Sequence, residues 1–147
     1  TLNNKNFINS NFTELNKITV EGLDEKNNLN LIKSLNFLKF SSLFFLDEFK
    51  VREIINYNNL VEDYSVFKKY PSTLVIKINK TKFLAKIKKD GNNFFLGSNG
   101  KLIKTTQLKK EIPFIFGDFS NKSFFELKKA IDESRFDYKQ IQNLFFF

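Results

Sequence analysis

Apolar and polar residues alternate in some stretches of this chain and recur every three or four residues in others. The stretch "KITVEG" places Ile18 and Val20 on one face of a strand and Thr19 and Glu21 on the other. It ends at Gly22, which can adopt the positive φ of a tight turn. This pattern predicts a short, half-buried strand that ends in a turn.

The next stretch, "LDEKNNLNLIKSLNFLKF", has the period of a helix. Asp24 and Glu25 would lie near the positive N-terminal end of this helix. Its predicted apolar stripe, at spacings of three, consists of Leu29, Ile32 and Leu35, continued by Phe37 or Leu38. We therefore expect these side chains to face a core.

A second helix is predicted after the apolar connector "SSLFFL". Asp47 is a suitable N-cap for it, because its carboxylate can accept hydrogen bonds from the first backbone N–H groups. The apolar face predicted for this helix consists of Val51, Ile54 and Ile55.

A proline separates two predicted strands in the middle of the chain. "VEDYSVFKK" (Val61–Lys69) alternates imperfectly, and "TLVIKIN" (Thr73–Asn79) is rich in β-branched residues. Pro71 has no backbone N–H and a fixed φ, so it ends the first strand and places a turn before the second. We predict a hairpin, and hence the order strand, helix, helix, strand, strand.

The second half of the chain is predicted to be rich in β-structure with one helix. Short strands are expected at "FLAKIKK", "NFFLG" and "KLIK", separated by the turns "DGNN" and "SNG". The apolar stretch "IPFIFG" contains Pro113 and Gly117. A helix is predicted around Phe124, Leu127 and Ile131, with Ser120 or Ser123 as its N-cap, and "YKQIQNLFFF" is expected to begin a further strand.

Composition narrows the chemistry open to this chain. It has 147 residues with 20 Phe and no Cys, His, Met or Trp, so we expect Phe-rich cores. The absence of Cys and His removes disulfides, thiolate metal sites and the commonest general base. No window approaches the length of an apolar spanning helix. The chain begins without Met and stops on "FFF", and we expect that sequence is missing at both ends.

The net charge of +8 is compatible with nucleic-acid binding. Arg52 and Arg135 are the only arginines, whereas phosphate and guanine contacts favour Arg over Lys. Lys, Asn, Ile and Phe are enriched together, as an AT-rich coding sequence would produce. We therefore expect no nucleic-acid partner and keep a basic nucleic-acid module as a third hypothesis.

Acidic residues occur in adjacent pairs, which could suggest acid–base catalysis. Neighbouring side chains on a helix or strand point in different directions, so such a pair does not converge on one substrate. We interpret these pairs as helix-start charges and solvated faces, and predict a protein that is not an enzyme and needs no cofactor or metal. The pairs are Asp24–Glu25, Asp47–Glu48, Glu62–Asp63 and Asp132–Glu133.

The order of these motifs resembles the extracytoplasmic part of the bacterial cell-division protein family FtsQ, called DivIB in Gram-positive bacteria. The resemblance runs from Lys17 to about Ile131, through "ITVEGL", "LVEDYSVFKKYPSTLVIKI", "GNNFFLGSNGKLI" and "IPFIFG". Lys68 stands where the family usually has Arg, and "NKTKF" lacks the acidic residue and proline found there in the family. The residues that carry the family motif are Val20, Gly22, Pro71, Thr73, Leu74, Pro113 and Gly117.

The resemblance implies an α+β protein: a POTRA-type β-α-α-β-β module followed by a β-rich domain with one helix. We expect a linker at 1–16, the POTRA-type domain at 17–80, and at 81–147 the truncated N-terminal part of an FtsQ-like β domain. It further implies a scaffold of the divisome that binds partners of the FtsB and FtsL type. The segment would be periplasmic, held at the inner membrane by a single transmembrane helix upstream of this chain.

Two hypotheses stay open for the strand before Pro71. As an edge strand it would bind an extended partner segment by strand addition, with Tyr64, Val66 and Lys68 as candidate binding residues. Alternatively, Lys68 and Lys69 are there to prevent such pairing. A POTRA module of an outer-membrane assembly or secretion protein, binding unfolded β-strand substrates, is the alternative function.

Overall fold

A computed structural model of the protein describes residues 13–106 and 111–147. The chain divides into two units, Thr1–Lys80 and Thr81–Phe147. In the described part of the first unit, the α-helices are α1 (Glu25–Leu35), which a short 3₁₀ turn (Asn36–Leu38) follows, and α2 (Glu48–Tyr57). The strands are β1 (Lys17–Glu21), β2 (Val61–Lys69) and β3 (Thr73–Lys80). The predicted order of strand, helix, helix, strand, strand is confirmed.

The sheet of the first unit has the order β1-β3-β2 among its described strands. β3 pairs in parallel with β1 and antiparallel with β2, and the hairpin returns the chain from Lys69 to Thr73. This confirms the hairpin predicted from Pro71. Gly22 follows β1 with a φ of 111°, and a Cβ there would lie 1.8 Å from the Ile78 carbonyl oxygen. Glycine is therefore required where the chain leaves the sheet.

The helices cover one face of this sheet and enclose its core. The buried members of the core are all Leu, Ile or Val: Leu15, Ile18, Val20, Leu31, Leu35, Leu38, Leu43, Leu46, Val51, Ile55, Val61, Leu74, Ile76 and Ile78. Our expectation of a Phe-rich core was wrong here. Many Phe side chains of this unit, including Phe45 and Phe49, are instead exposed.

The inward face of α1 differs from the predicted stripe. Leu31 and Leu35 are buried, and Leu29 is 49% exposed. Asn28 lies near the start of the inward face, where its side chain exchanges hydrogen bonds with the backbone of Leu23. The apolar pattern alone did not reveal that a polar residue would take this place.

The linker prediction for 1–16 needs a correction at its end. Leu15 is fully buried. Its N–H donates to Ser41 and its carbonyl accepts from Phe40, while Asn16 donates to Ser72. Residues 13–16 therefore belong to the packed first unit, and the rest of the predicted linker lies outside the described residues.

The second unit has a five-stranded sheet in its described part, with the order β6-β5-β4-β7-β8. The strands are β4 (Phe83–Lys89), β5 (Asn92–Gly97), β6 (Leu102–Thr105), β7 (Phe114–Gly117) and β8 (Asn143–Phe146), and the helix is α3 (Asn121–Asp132). β8 pairs in parallel with β7. The predicted combination of a β-rich region and one helix is confirmed.

The core of the second unit lies between its sheet and α3. Phe124, fully buried, packs with Ile87, Leu96 and Ile115. Ser120 is the N-cap of α3, and Ser123 completes a capping box with it. The choice left open between these two serines is thus resolved, because both take part and Ser120 is the cap.

The observed inward face of α1 predicts that substitutions at Leu29 and Leu31, two residues apart, change the free energy of unfolding by different amounts. Leu31→Ala should lower the free energy of unfolding by about 2–5 kcal/mol, since it opens a cavity in the core. Leu29→Ala should change it by less than about 0.5 kcal/mol, since it removes an exposed side chain. Urea unfolding followed by tyrosine fluorescence measures both, because Tyr57, Tyr64 and Tyr70 lie in this unit. If Leu29→Ala lowered the free energy of unfolding more than Leu31→Ala does, the face predicted from the sequence would be correct and the observed one wrong.

Candidate functional site

The strand β2 lies at an edge of the first sheet. It pairs with β3 on one side, and no strand within 13–106 or 111–147 pairs with its other side. It spans Val61–Lys69, nine residues, whereas β1 at the opposite edge spans five. An edge strand of this length presents backbone donors and acceptors that an extended segment can pair with.

The sheet face under the helices is less buried at β2 than at β1 and β3. On β1 and β3 this face is closed by buried side chains such as Val20 and Ile76. In the same row on β2, Val66 is only partly buried, as is its neighbour Tyr64. The candidate residues on β2 thus contact the core from one side and remain accessible from the other.

A groove follows β2 on this face. Its volume is about 580 Å³, and it runs between β2 and the first turns of α2. The lining residues are Leu46, Glu48, Val51, Arg52, Tyr64, Val66, Phe67 and Lys68. The three predicted binding residues therefore lie together, next to a partly apolar groove that could accept side chains of an added strand.

An ion pair crosses this groove. Lys68 Nζ lies 2.8 Å from Glu48 Oε1, which joins β2 to the first residue of α2. Asp47 sets the start of the helix, because its side chain accepts a hydrogen bond from the Lys50 N–H. The pKa of Glu48 is lowered, first by the hydrogen bond from Lys68, then by the charge of Lys68, and further by Arg52.

This ion pair bears on the two hypotheses for the paired lysines. Lys68 turns toward the helices and is engaged by Glu48, so its charge is directed into the groove. Lys69, on the opposite face, is exposed. Of the two lysines, only Lys69 is both exposed and outside the described ion pairs. It is therefore the one that could discourage another strand from pairing with the edge of β2.

The residues that carry the family motif lie in the cores, at a strand end and where the backbone makes close contacts. Val20 and Leu74 are buried in the core, and Thr73 begins β3 between Lys17 and Lys69. In the second unit, Pro113 is fully buried, and a Cβ on Gly117 would lie 1.9 Å from the Phe146 carbonyl oxygen. None of the motif residues of the first unit lines the β2 groove, and Pro113 and Gly117 pack within their own unit, so we interpret all of them as structural.

Sequence reasoning missed the part of the site that α2 contributes. Glu48 and Arg52 are four residues apart and so share a helix face, but nothing in the pattern placed that face beside β2. Glu48 had been considered only as one of a pair of carboxylates. Its partner is Lys68, which is 20 positions along the chain and reached only through the fold.

The other acidic pairs have structural roles. Asp24 is the N-cap of α1, and hydrogen bonds from Asn27 lower its pKa. Asp132 pairs with Lys128 one helical turn away. Over the residues that the structure describes, no group of three or more acidic side chains is placed to hold a metal ion. The arrangement at β2 is suited to binding, with backbone groups, a groove and an ion pair.

Comparison with known proteins identifies the first unit. A family model described as "POTRA domain, FtsQ-type" matches residues 13–80, which contain both helices, the whole first sheet and the β2 groove. Residues 13–80 are a POTRA domain of the FtsQ type. The resemblance noted from the sequence motifs is thereby confirmed for this unit. The match begins at Thr13, in agreement with the burial of Leu15.

No curated protein matches the chain. In the described part of the chain, no helix is long and apolar enough to cross a membrane. The FtsQ-type POTRA domain therefore carries the functional argument, and it implies a part in cell division through contacts with other proteins.

The ion pair in the POTRA groove predicts the titration of Glu48. Its pKa should lie below the ordinary value of 4.5, so any stabilisation from the ionised form is present above that value and is lost as the pH falls through the lowered pKa. Lys68→Met should return the pKa toward 4.5, since it removes the hydrogen bond and the charge. Lys69→Met, on the opposite face, should leave it unchanged. NMR titration of the Glu48 carboxyl carbon measures this pKa in the natural chain and in both variants.

Proposed function

We propose that this chain is the extracytoplasmic part of a non-enzymatic scaffold for bacterial cell division, of the FtsQ or DivIB kind. The observation that carries the proposal is the FtsQ-type POTRA match over residues 13–80. The edge position of β2 and its adjoining groove support a role in binding proteins. The physical mechanism is strand addition to β2 with side chains docking into the groove.

We further propose that Thr81–Phe147 is the N-terminal part of an FtsQ-like β domain. Its five-stranded sheet and single described α-helix support this, as do the motif positions Pro113 and Gly117. By resemblance, the partners of the whole protein would be division proteins of the FtsB and FtsL type. We expect no nucleic-acid partner. We assign no partner contacts to the second unit, because the resemblance carries no partner-binding residue over to it.

The proposed location is the periplasmic side of the bacterial inner membrane. By resemblance to the family, a single transmembrane helix upstream of Thr1 would anchor the protein. A scaffold at this location needs surfaces that bind other proteins, and β2 is such a surface. Its function would depend on being present at the division site together with its partners.

The accessible edge of β2 also suits the alternative function. A POTRA module of an outer-membrane assembly or secretion protein would use the same edge to bind unfolded β-strand substrates. The FtsQ type of the match favours the division scaffold.

Depletion in the bacterium that encodes this protein tests the function directly. Loss of a division scaffold should give long cells that lack septa, and a fluorescent fusion of the full-length protein should gather at midcell. Microscopy measures both. Normal septation with outer-membrane proteins failing to assemble would support the alternative and contradict the division proposal.

Crosslinking tests whether β2 is the binding edge. Phe67 on β2 and Phe37 in the 3₁₀ turn after α1 are both 50% exposed, which makes them a matched pair of probe positions. With the photo-reactive analogue p-benzoylphenylalanine in the full-length protein, the probe at Phe67 should crosslink to a division protein in cells, because a strand added to β2 passes beside it.

The control probe at Phe37 should give little of the same product. Mass spectrometry of the crosslinked species identifies the partner. Equal yields from both positions, or a product from Phe37 alone, would contradict binding at β2 and leave the FtsQ-type assignment in place.

A further inference from the structure

One end of the POTRA domain gathers exposed aromatic rings from two distant segments. The connector between α1 and α2 carries Phe40, Phe44 and Phe45, and the β2–β3 turn carries Tyr70. These side chains are 76%, 57%, 89% and 53% exposed, respectively. The rings of Phe44 and Tyr70 lie 5.0 Å apart, so the connector and the turn are in contact.

Backbone hydrogen bonds hold these segments at the same end. Phe40 donates to Leu15, and Leu15 donates to Ser41, while Asn16 and Lys17 both donate to Ser72 in the hairpin turn. The exposed rings are therefore carried on backbone fixed to the sheet and core. We call this surface, formed by Phe40, Phe44, Phe45 and Tyr70, the aromatic end.

Three lysines lie on the segments that form the aromatic end or next to them. Lys17 and Lys69 flank Thr73 in the same row of the sheet, each on a strand about 4.8 Å from β3. Lys39 precedes Phe40 in the connector. No ion pair joins any of these three lysines to an acid within the described residues. The acids near them in these segments are Glu14, Asp47, which caps α2, and Glu48, whose charge is paired with Lys68.

Exposed aromatic rings with lysines beside them match the chemistry of an anionic bilayer surface. The rings can enter the boundary between headgroups and acyl chains, and the ammonium groups can contact lipid phosphates. Clustered exposed apolar side chains of this kind mark an interaction site. The core nearby is complete without them, since it is built from Leu, Ile and Val.

We propose that the aromatic end of the POTRA domain binds the surface of an anionic phospholipid bilayer. Phe45, the most exposed ring of the four, enters the headgroup region, and Lys17, Lys39 and Lys69 contact lipid phosphates. This contact is separate from the β2 groove and does not depend on the proposed division partners. It would orient the domain at a membrane.

A tryptophan probe tests the insertion, because the natural chain contains no Trp. In the full chain carrying Phe45→Trp, emission should shift to shorter wavelength when vesicles with roughly one third phosphatidylglycerol are added, and should not shift with pure phosphatidylcholine vesicles. The matched control is Phe136→Trp, at a ring that is 79% exposed in the second unit. It should not respond to either vesicle.

A charge-reversal pair tests the role of the lysines. The double variant Lys17→Glu, Lys39→Glu should bind the anionic vesicles at least about tenfold more weakly in co-sedimentation, since each basic residue near the surface contributes about a factor of five. The control Lys89→Glu, Lys122→Glu has the same net charge and alters two exposed lysines elsewhere. It should bind within about twofold of the natural chain.

Three results would overturn the proposal. They are a Phe45→Trp probe indifferent to both vesicles, equal shifts from the two probe positions, and equal losses from the two charge variants. An indifferent Phe45→Trp probe would indicate that the aromatic end binds a protein and not a membrane. Equal shifts or equal losses would indicate nonspecific attraction of the whole chain by its net charge. All variants alter exposed or half-exposed positions, and far-UV circular dichroism checks that they fold.

Discussion

The first unit depends on the pairing of β3 with both of its neighbours. β3 is the central strand, and its Leu74 and Ile76 are fully buried under the helices. Because β3 holds β1 in parallel and β2 antiparallel, each neighbour keeps one side unpaired within the described sheet. The same pairing that builds the core thus creates the edge at β2 on which the proposed binding depends.

Binding at β2 requires an edge that is accessible without being an aggregation hazard. In this structure a groove lies beside the strand, and the Glu48–Lys68 ion pair crosses that groove. An exposed ion pair contributes little to stability. Its more direct effect is to hold the Lys68 charge on the helix side of the sheet, which leaves Lys69 as the exposed lysine of the pair on the opposite face. Exposed lysines on edge strands generally discourage indiscriminate pairing.

Leu and Phe have separate roles in the POTRA domain. Aliphatic side chains fill its core, while exposed rings collect at the connector and the hairpin turn. In the second unit Phe124 lies at the centre of the core. The many Phe residues of this chain therefore have two structural roles: some are exposed on the POTRA domain, and others, such as Phe124, are buried in the second unit. Composition could not distinguish these roles, because it does not report which residues the fold buries.

Local pattern determined the elements of this protein. The alternation of Ile18 and Val20, the cap at Asp47 and the break at Pro71 act within a few residues, so the sequence alone predicted β1, the start of α2 and the hairpin. Tertiary structure decided the inward face of α1, the burial of Leu15, the groove between α2 and β2, and the meeting of Phe44 with Tyr70. These depend on contacts between segments distant in sequence, and no local period specifies which partner each segment will meet.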